Sequence, residues 1–267
     1  MPENKRFRDI RKTYLDLGVR TSRDPMGLLI KNHVPFPESL GIIMDGNGRW
    51  AEHHGLSIPQ GHIAGAKRMA DIFRSCYQLS IKTIVVWAMS PDNFERRDSK
   101  EILGLMDLTL KYLKNLLPQF EENEVCFVHL GRKEGLPSNV ASAIEAAELA
   151  TAKNTRQKIA LALNYGGDFA LFDSMREAIA HESQTSTDEA LAPYLDYYGI
   201  GQLEMLVRTG GDLRLSGIGW IDDRAELFFP KTLMPDFTVR DLALAFLDYS
   251  FREIRRGGRP AKNVHQV

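Results

Sequence analysis

Apolar residues along the chain form six short continuous runs, separated by segments with helical periodicity. The runs cover residues 40–44, 83–89, 125–130, 159–163, 204–208 and 225–229. Between them, apolar side chains such as Ala66, Met69 and Phe73 recur at the spacing of one helix face. Continuous apolar strands that alternate with helices are typical of a parallel sheet buried on both faces. We therefore predict an α/β fold, with a single domain built on a mainly parallel six-stranded sheet that helices cover.

The two ends of the chain differ from this alternating region. Residues 1–36 are rich in charge and contain several prolines, which predicts a short amphipathic helix over about residues 6–17 followed by a linker. The folded domain is expected to span residues 37–259, and residues 260–267 form a tail. The start of the chain lacks the apolar segment of a secretory signal.

One predicted helix, at about residues 99–120, has two apolar stripes. The first contains Leu103, Met106, Leu110, Leu113 and Leu117, and the second contains Ile102, Leu105, Thr109, Tyr112 and Leu116. A helix that is apolar on two faces is buried on both. Periodicity alone allows an ordinary core helix as readily as one that lines a cavity. The second interpretation predicts an apolar tunnel between the sheet and the helices.

Polar segments follow four of the six runs, and three of the segments contain two glycines each. The four segments read DGNGR, SPDNFERR, NYGGD and RTGGDLRLS, and their arginines are Arg49, Arg96, Arg97, Arg208 and Arg214. A single such loop is consistent with a plain turn. Because the carboxyl ends of parallel strands meet at one edge, the four loops are expected to converge, which favours an anion site. Arginine forks match phosphate oxygens, and five of them exceed what one monophosphate needs.

Asp45 introduces a carboxylate among these arginines. It would repel a phosphate unless a cation lay between the two groups. A divalent ion such as Mg²⁺, held by one or two carboxylates and by substrate phosphate, removes this conflict.

Composition narrows the class of protein further. The formal net charge is −1, which gives no reason to expect binding to nucleic acid. Cys76 and Cys126 both lie in apolar segments, which favours a reduced, cytoplasmic protein over a disulfide framework. No apolar run reaches the length of a membrane span.

Several motifs occur together in a fixed order. They include MDGNGRWA, GHIAGAKR, SPDNFERR, LALNYGGD, VRTGGDLRLS, AELFF and IRRGG. These stretches resemble the cis-prenyltransferase family, to which undecaprenyl diphosphate synthases belong, and the resemblance covers residues 40 to 259. It implies an enzyme that condenses isopentenyl diphosphate with an allylic diphosphate and uses Mg²⁺. It also implies a homodimer in the cytoplasm, with transient membrane contact when the product is released.

The resemblance implies a role for residues in each motif. The implied catalytic residues are Asp45, Asn47, His62 and Asn93. The implied metal ligands are Asp45 and Glu226. The implied substrate-binding residues are Gly46, Gly48, Arg49, Trp50, Ser90, Phe94, Arg96, Arg208, Arg214, Ser216, Arg255 and Gly257. Within this set, Arg208, Arg214 and Ser216 would bind isopentenyl diphosphate, and the last two residues would reach the site of the partner subunit.

The chain also departs from the family pattern. Ile58 replaces a basic residue, Leu213 replaces a polar one, Phe94 stands where tryptophan is usual, and the 216–220 loop is one residue short. We expect a product of short to medium length. Three alternatives stay open, namely a short-chain or branching synthase, a terpene cyclase on the same fold, and a non-catalytic lipid-binding partner subunit. The proton acceptor is also open between the diphosphate, Asp45, and Asn47 with water.

Overall fold

A computed structural model describes residues 5–79, 81–180, 199–219 and 224–254. The strands are β1 (Ser39–Ile43), β2 (Thr83–Met89), β3 (Val125–Leu130), β4 (Gln157–Leu163), β5 (Met205–Arg208) and β6 (Glu226–Phe228). The α-helices are α1 (Lys5–Thr21), α2 (Pro25–Lys31), α3 (Asn47–His53), α4 (Ile58–Cys76), α5 (Pro91–Arg96), α6 (Ser99–Glu122), α7 (Ser138–Thr151), α8 (Gly167–Ala180) and α9 (Val239–Ser250). Each predicted strand is confirmed, with ends that lie within two residues of the apolar run.

The six strands form one sheet in the order β3-β4-β2-β1-β5-β6, and every neighbouring pair is parallel. The predicted parallel sheet is therefore confirmed. From β1 the chain runs first to β2 on one side and much later to β5 on the other. The order of the strands thus reverses between β1 and β5. In parallel sheets, ligands bind outside the carboxyl ends of the strands at such a switch point.

The central strand β1 is buried on both faces. Ile42 belongs to the larger core, which α4, α6 and α9 complete with residues such as Phe73 and Phe246. Ile43 points to the opposite face and joins a smaller core with Tyr165. Alternation of side chains between the two faces explains why the strand is apolar at every position rather than at every second one.

The N-terminal segment packs on the domain instead of extending from it. Helix α1 is longer than the predicted helix, and Leu15 and Val19 on its inner face belong to the larger core. Helix α2 lies where only a linker was predicted. The Asp24 carboxylate caps α2 by accepting from the Gly27 N–H at 2.9 Å, and Pro25 occupies the first helical turn.

Candidate active site

The loop that follows β1 is tied through its backbone to the side chain of Thr209, which follows β5. The Asp45 N–H donates to Thr209 Oγ1 at 2.9 Å, and Thr209 Oγ1 donates to the Asp45 carbonyl at 2.7 Å. Thr209 is fully buried. This pair of hydrogen bonds fixes the two loops at the switch point of the sheet.

Asp45 lies between two arginines. Arg208 Nη2 donates to Asp45 Oδ2 at 2.7 Å, and Arg49 Nη2 donates to Oδ1 at 3.1 Å. The Arg208 side chain is only 4% exposed and also donates to Ser216 Oγ at 2.6 Å. Burial raises the pKa of the Asp45 carboxyl, but hydrogen bonds and charge from Arg208 and Arg49 outweigh burial and hold this pKa below its ordinary value.

A second carboxylate and a third arginine extend the group. Arg214 Nη2 donates to Asp212 Oδ2 at 2.8 Å, and Arg208 Nη2 lies 3.4 Å from the same oxygen. Arg214 is 66% exposed and is therefore free to turn towards a ligand. We call Asp45, Arg49, Arg208, Asp212 and Arg214 the rim cluster. It contains three of the five arginines that were predicted to converge.

Two glycines allow the loops of the rim cluster to approach each other. Gly46 has a φ of +101°, and a Cβ there would lie 3.1 Å from the Leu233 Cα. Gly210 has a φ of +87°, and a Cβ there would lie 2.6 Å from Arg49 Nη2. Only glycine adopts these conformations at low cost, so the geometry of the cluster requires glycine at both positions. The predicted glycine role at Gly46 thus has a steric basis, whereas a Cβ at Gly48 would meet open space.

An apolar cavity of about 160 Å³ lies between the sheet and helices α4 and α6. Its wall includes Ala66, Met69, Phe73, Val86, Ala88, Leu105, Thr109, Tyr112, Leu116 and Ile159. Four of the five residues of the second apolar stripe, all except Ile102, lie in this wall on α6. That the cavity continues as a tunnel for a prenyl chain stays a prediction.

Asn47 connects the cavity to the rim cluster. It follows Asp45 by two residues, is buried and lines the cavity. Its Oδ1 has no hydrogen-bond partner within the described part of the chain, and its Nδ2 donates weakly to the Met44 carbonyl at 3.4 Å. Gly65 leaves room for this amide, since a Cβ there would lie 2.1 Å from Oδ1. An unpaired buried oxygen is costly unless a ligand satisfies it.

His62, on α4, also lines the cavity and contacts Glu101. Its Nε2 lies 3.3 Å from Glu101 Oε1, which also accepts from Arg97 Nη1 at 3.0 Å. Burial is the main cause that lowers the pKa of His62, which favours the neutral ring. Glu101 was not among the predicted site residues. Its spacing of four residues from Arg97 was the available signal for the ion pair.

Other predicted site residues have structural partners. Ser90 and Asn93 form the cap of α5, with Ser90 Oγ accepting from the Asn93 N–H and Asn93 Oδ1 accepting from the Ser90 N–H, both at 3.3 Å. Trp50 donates its indole N–H to Asp236 Oδ1 at 2.9 Å. Phe94 packs against the larger core, and Arg96 is exposed. The substrate roles implied for these residues stay predictions.

The structure does not bring Glu226 to Asp45. In the sheet Glu226 is level with Met205, three residues before Arg208, which corresponds to about 10 Å along the strand. Its carboxylate accepts from Arg252 Nη1 at 3.0 Å. The predicted pair of metal ligands is thus not assembled within one chain. No group of three or more histidine, cysteine or acidic side chains suited to a metal occurs in the described ranges.

Two of the implied substrate-binding residues, Arg255 and Gly257, lie outside the described residues. Within the part that is described, no helix combines the length and the apolar content needed to cross a membrane.

Comparisons with known proteins agree with this fold. The family model described as putative undecaprenyl diphosphate synthase matches residues 43–257. An isoprenyl transferase of Fusobacterium nucleatum is 34% identical over 229 residues, which cover 85% of this chain and 98% of that protein. Isoprenyl transferase 1 of Bradyrhizobium diazoefficiens is 36% identical over 85% of this chain and 92% of its own length.

Solved structures are similar as well. The lavandulyl diphosphate synthase of Lavandula x intermedia, in complex with dimethylallyl diphosphate, has a TM-score of 0.77 and 28% identity over 83% of this chain and 98% of that one. A probable undecaprenyl diphosphate synthase from Campylobacter jejuni has a TM-score of 0.70 over 84% of this chain and 99% of that one, and at 24% identity it supports the fold alone.

An all-parallel sheet carries an arginine–carboxylate cluster at its switch point and an apolar cavity beside it, an arrangement suited to an anionic, partly apolar ligand. The chain belongs to the prenyltransferase family whose model describes putative undecaprenyl diphosphate synthases. The prediction of a transferase of the cis-prenyltransferase type is confirmed at the level of this family.

Proposed function

We propose that the protein condenses isopentenyl diphosphate with an allylic prenyl diphosphate and creates a cis double bond. The observation that carries this proposal is the position of Asn47, which lines the apolar cavity and lies two residues from Asp45 in the rim cluster. A substrate with a diphosphate in the rim cluster would have its hydrocarbon chain at the mouth of the cavity. Both halves of a prenyl diphosphate thereby find matching surroundings.

Binding of diphosphate would exchange partners within the rim cluster. Arg49, Arg208 and Arg214 now donate to Asp45 and Asp212, and phosphate oxygens are equally good acceptors for the same guanidinium groups. Two diphosphates bring several negative charges, which explains why three arginines are present. The carboxylates that they release would then carry unpaired negative charge beside the substrates.

Those carboxylates fit a divalent cation. Asp45 and Asp212 accept hydrogen bonds from the same Arg208 nitrogen, so two carboxylates lie side by side at the switch point. A hard cation takes one or two carboxylates together with phosphate oxygens. We infer that Mg²⁺ is the cation, with Asp45 as its ligand and Asp212 beside it. When bound, Mg²⁺ supplies charge that stabilises the departing diphosphate.

The chemistry assigns different tasks to the two regions. The bond between C1 of the allylic substrate and its diphosphate oxygen breaks, and the electron pair leaves with the diphosphate. The terminal double-bond carbon of isopentenyl diphosphate bonds to C1, and a proton is then lost from C2 of the isopentenyl unit. The arginines stabilise the charge that develops on the leaving group, and the apolar cavity holds the hydrocarbon and excludes water from the cation.

A short product is favoured by the size of the cavity. A cavity of about 150 Å³ holds one benzene molecule in another protein, and benzene is close in size to a five-carbon prenyl unit. The cavity here has about the same volume. This supports a short-chain or branching synthase as the second candidate, as does the 28% identity to a lavandulyl diphosphate synthase.

Assembly and location complete the proposal. Phe172, Met175 and Ile179 on α8 are exposed and lie at helical spacing on one face, which is a surface that a second copy could cover. This supports the expected homodimer. We also infer that the protein is cytoplasmic. Because a prenyl product is apolar, we infer that the protein contacts a membrane when the product leaves.

The test is a product analysis with the purified chain. Isopentenyl diphosphate and Mg²⁺ are incubated with dimethylallyl, geranyl or farnesyl diphosphate, and products are identified by mass spectrometry and NMR. Chain growth with cis geometry would support the proposal, and full activity in excess EDTA would contradict the role of Mg²⁺. A product from dimethylallyl diphosphate alone would favour the branching synthase. No product from any mixture would favour a non-catalytic subunit.

A further inference from the structure

Helix α1 has an apolar stripe that faces away from the protein. Phe7, Ile10, Tyr14 and Leu17 follow one another at intervals of three and four residues, so they lie on one face of the helix. Their exposed fractions lie between 59% and 72%. Four large apolar side chains in a row, all mostly exposed, exceed the scattered single residues that a soluble surface normally carries.

The rest of α1 already has a structural function. Leu15 and Val19 are buried in the larger core on the opposite side of the helix. Arg8 donates to the Phe251 carbonyl, and Lys12 pairs with Asp248 at 3.1 Å. These contacts hold α1 on α9, so the apolar stripe is presented outwards on a fixed helix.

The charge of α1 differs from that of the whole chain. Between Lys5 and Thr21 the sequence contains six basic and two acidic residues, whereas the complete chain has a net charge of −1. By helical spacing, Arg11 lies beside the stripe on one side and Arg20 on the other, and both are exposed. Asp16 pairs with Arg20 at 2.6 Å and neutralises part of this charge.

We propose that α1 binds the surface of an anionic lipid bilayer, with Phe7, Ile10, Tyr14 and Leu17 inserted among the lipids and the flanking arginines at the headgroups. Helices that lie in a membrane interface combine an apolar face containing aromatic residues with basic residues beside it. The site is separate from the rim cluster. Its biological purpose, delivery of an apolar product, rests on the proposed function, but the binding itself does not.

A second copy of the chain fits this surface less well. In a symmetric pair the stripe would meet its own image, and the basic residues beside it would face each other. Like charges brought together at an interface oppose association. An anionic bilayer has a charge opposite to that of the basic residues, and it covers the stripe as completely as a second copy would.

The experiment compares the full chain with two variants in a vesicle sedimentation assay. Vesicles contain phosphatidylcholine alone or phosphatidylcholine mixed with phosphatidylglycerol. The stripe variant is Phe7→Ser with Leu17→Ser. The control is Leu149→Ser, which removes a more exposed apolar side chain, 81% exposed, from α7. The wild type is expected to bind the mixed vesicles more strongly, and binding should weaken as salt is added.

The stripe variant should lose at least about tenfold in vesicle affinity, because each substitution removes one large apolar group from the lipid. The control variant should bind like the wild type, and all three proteins should keep the same melting temperature. The proposal would be overturned if the stripe variant bound vesicles as strongly as the wild type, or if the wild type showed no preference for anionic vesicles. So would loss of a dimer in the stripe variant, seen by light scattering, which would assign the stripe to a second copy.

Turnover is measured on the same variants with soluble substrates. Vesicle binding without any turnover would contradict the proposed function and leave the membrane surface intact. Turnover without vesicle binding would contradict the membrane proposal and leave the proposed function intact.

Discussion

Arg208 and Arg252 each bridge two carboxylates, and the two arginines lie at opposite ends of the sheet. Arg208 joins Asp45 and Asp212 in the rim cluster. Arg252 joins Glu226 and Asp248, and we call these three residues the α9 cluster. Arg208 is 4% exposed and Arg252 is 26% exposed, so the more deeply buried arginine is the one at the proposed active site.

What surrounds the two clusters distinguishes them. In the α9 cluster, Arg252 also donates to the Leu227 carbonyl, and Asp248 also accepts from Lys12 of α1, so every partner belongs to a helix or strand. The rim cluster is held by glycine-rich loops and lies next to the unpaired Asn47 oxygen and the cavity. An ion pair by itself therefore does not mark a site. A site is marked by loops that permit exchange of ion-pair partners and by an adjoining space for a ligand.

The largest effect is expected from Asp45→Asn. The change removes the charge that pairs with Arg208 and Arg49 and that would hold Mg²⁺, so turnover should fall by at least about a thousandfold. Stability should fall by about 1–3 kcal/mol, because buried Arg208 loses its nearest counter-charge and keeps only Asp212 at 3.4 Å. Steady-state kinetics and chemical denaturation measure the two quantities. Unchanged turnover would place the reaction elsewhere.

Arg214→Ala should affect binding more than folding. The Arg214 side chain is exposed, and Asp212 is its only ion-pair partner among the described residues, so the loss of stability should be less than about 1 kcal/mol. If Arg214 binds the diphosphate of isopentenyl diphosphate, KM for this substrate should rise by about tenfold or more, since a charge-assisted pair is lost. KM for the allylic primer serves as the internal control. An equal rise in both constants would contradict the assignment to one substrate.

Tyr112→Ala should change the product. Tyr112 is a large residue of the cavity wall, and its removal extends the space available to a growing chain. Mass spectrometry should show products longer by one or more five-carbon units. Leu103→Ala on the same helix is the matched control, because Leu103 is exposed and does not line the cavity. An unchanged product would place the end of the cavity at another residue.

Asp248→Asn should give the smallest effect and acts as the counterpart of Asp45→Asn. Turnover should stay within about twofold, and stability should fall by about 1 kcal/mol, because partly exposed ion pairs contribute little. Although burial raises the pKa of Asp248, hydrogen bonds from Arg252 and Lys12 lower it below its ordinary value of 3.8. The contribution is therefore present above pH 3.8 and is lost as the pH falls further. Unfolding curves at pH 7 and pH 3 test this sign, and a large loss of turnover would remove the distinction between the clusters.

The strands were predictable because each is buried on both faces and is therefore apolar along its whole length. Helices α2, α3 and α5 were not predicted. The signals for α2 were present in Asp24 and Pro25, a capping residue and a proline at the first turn. Helix α3 begins at Asn47 within a sequence that local preference assigns to a turn, and it is stabilised by packing on α4, where Gly61 allows close approach.

The site was predictable in its residue types but not in its pairing. Convergence of the loops followed from parallel strands, which placed Asp45 near the arginines. That Arg208 would be its main partner depends on β5 lying next to β1, and strand order is not contained in local patterns. For the same reason the sequence could not show that Glu226 is level with the opposite end of β5.

The strand order also determines when during synthesis the site is completed. β1 is the first strand to leave the ribosome, but Arg208 follows Asp45 by 163 residues. At about 5–20 residues per second, this segment takes on the order of ten seconds to synthesise. During that interval the edge of β1 that will pair with β5 has no partner strand, and an unpaired apolar strand invites aggregation. A protein that places Asp45 just after its central strand thus leaves that strand exposed for a long time during translation.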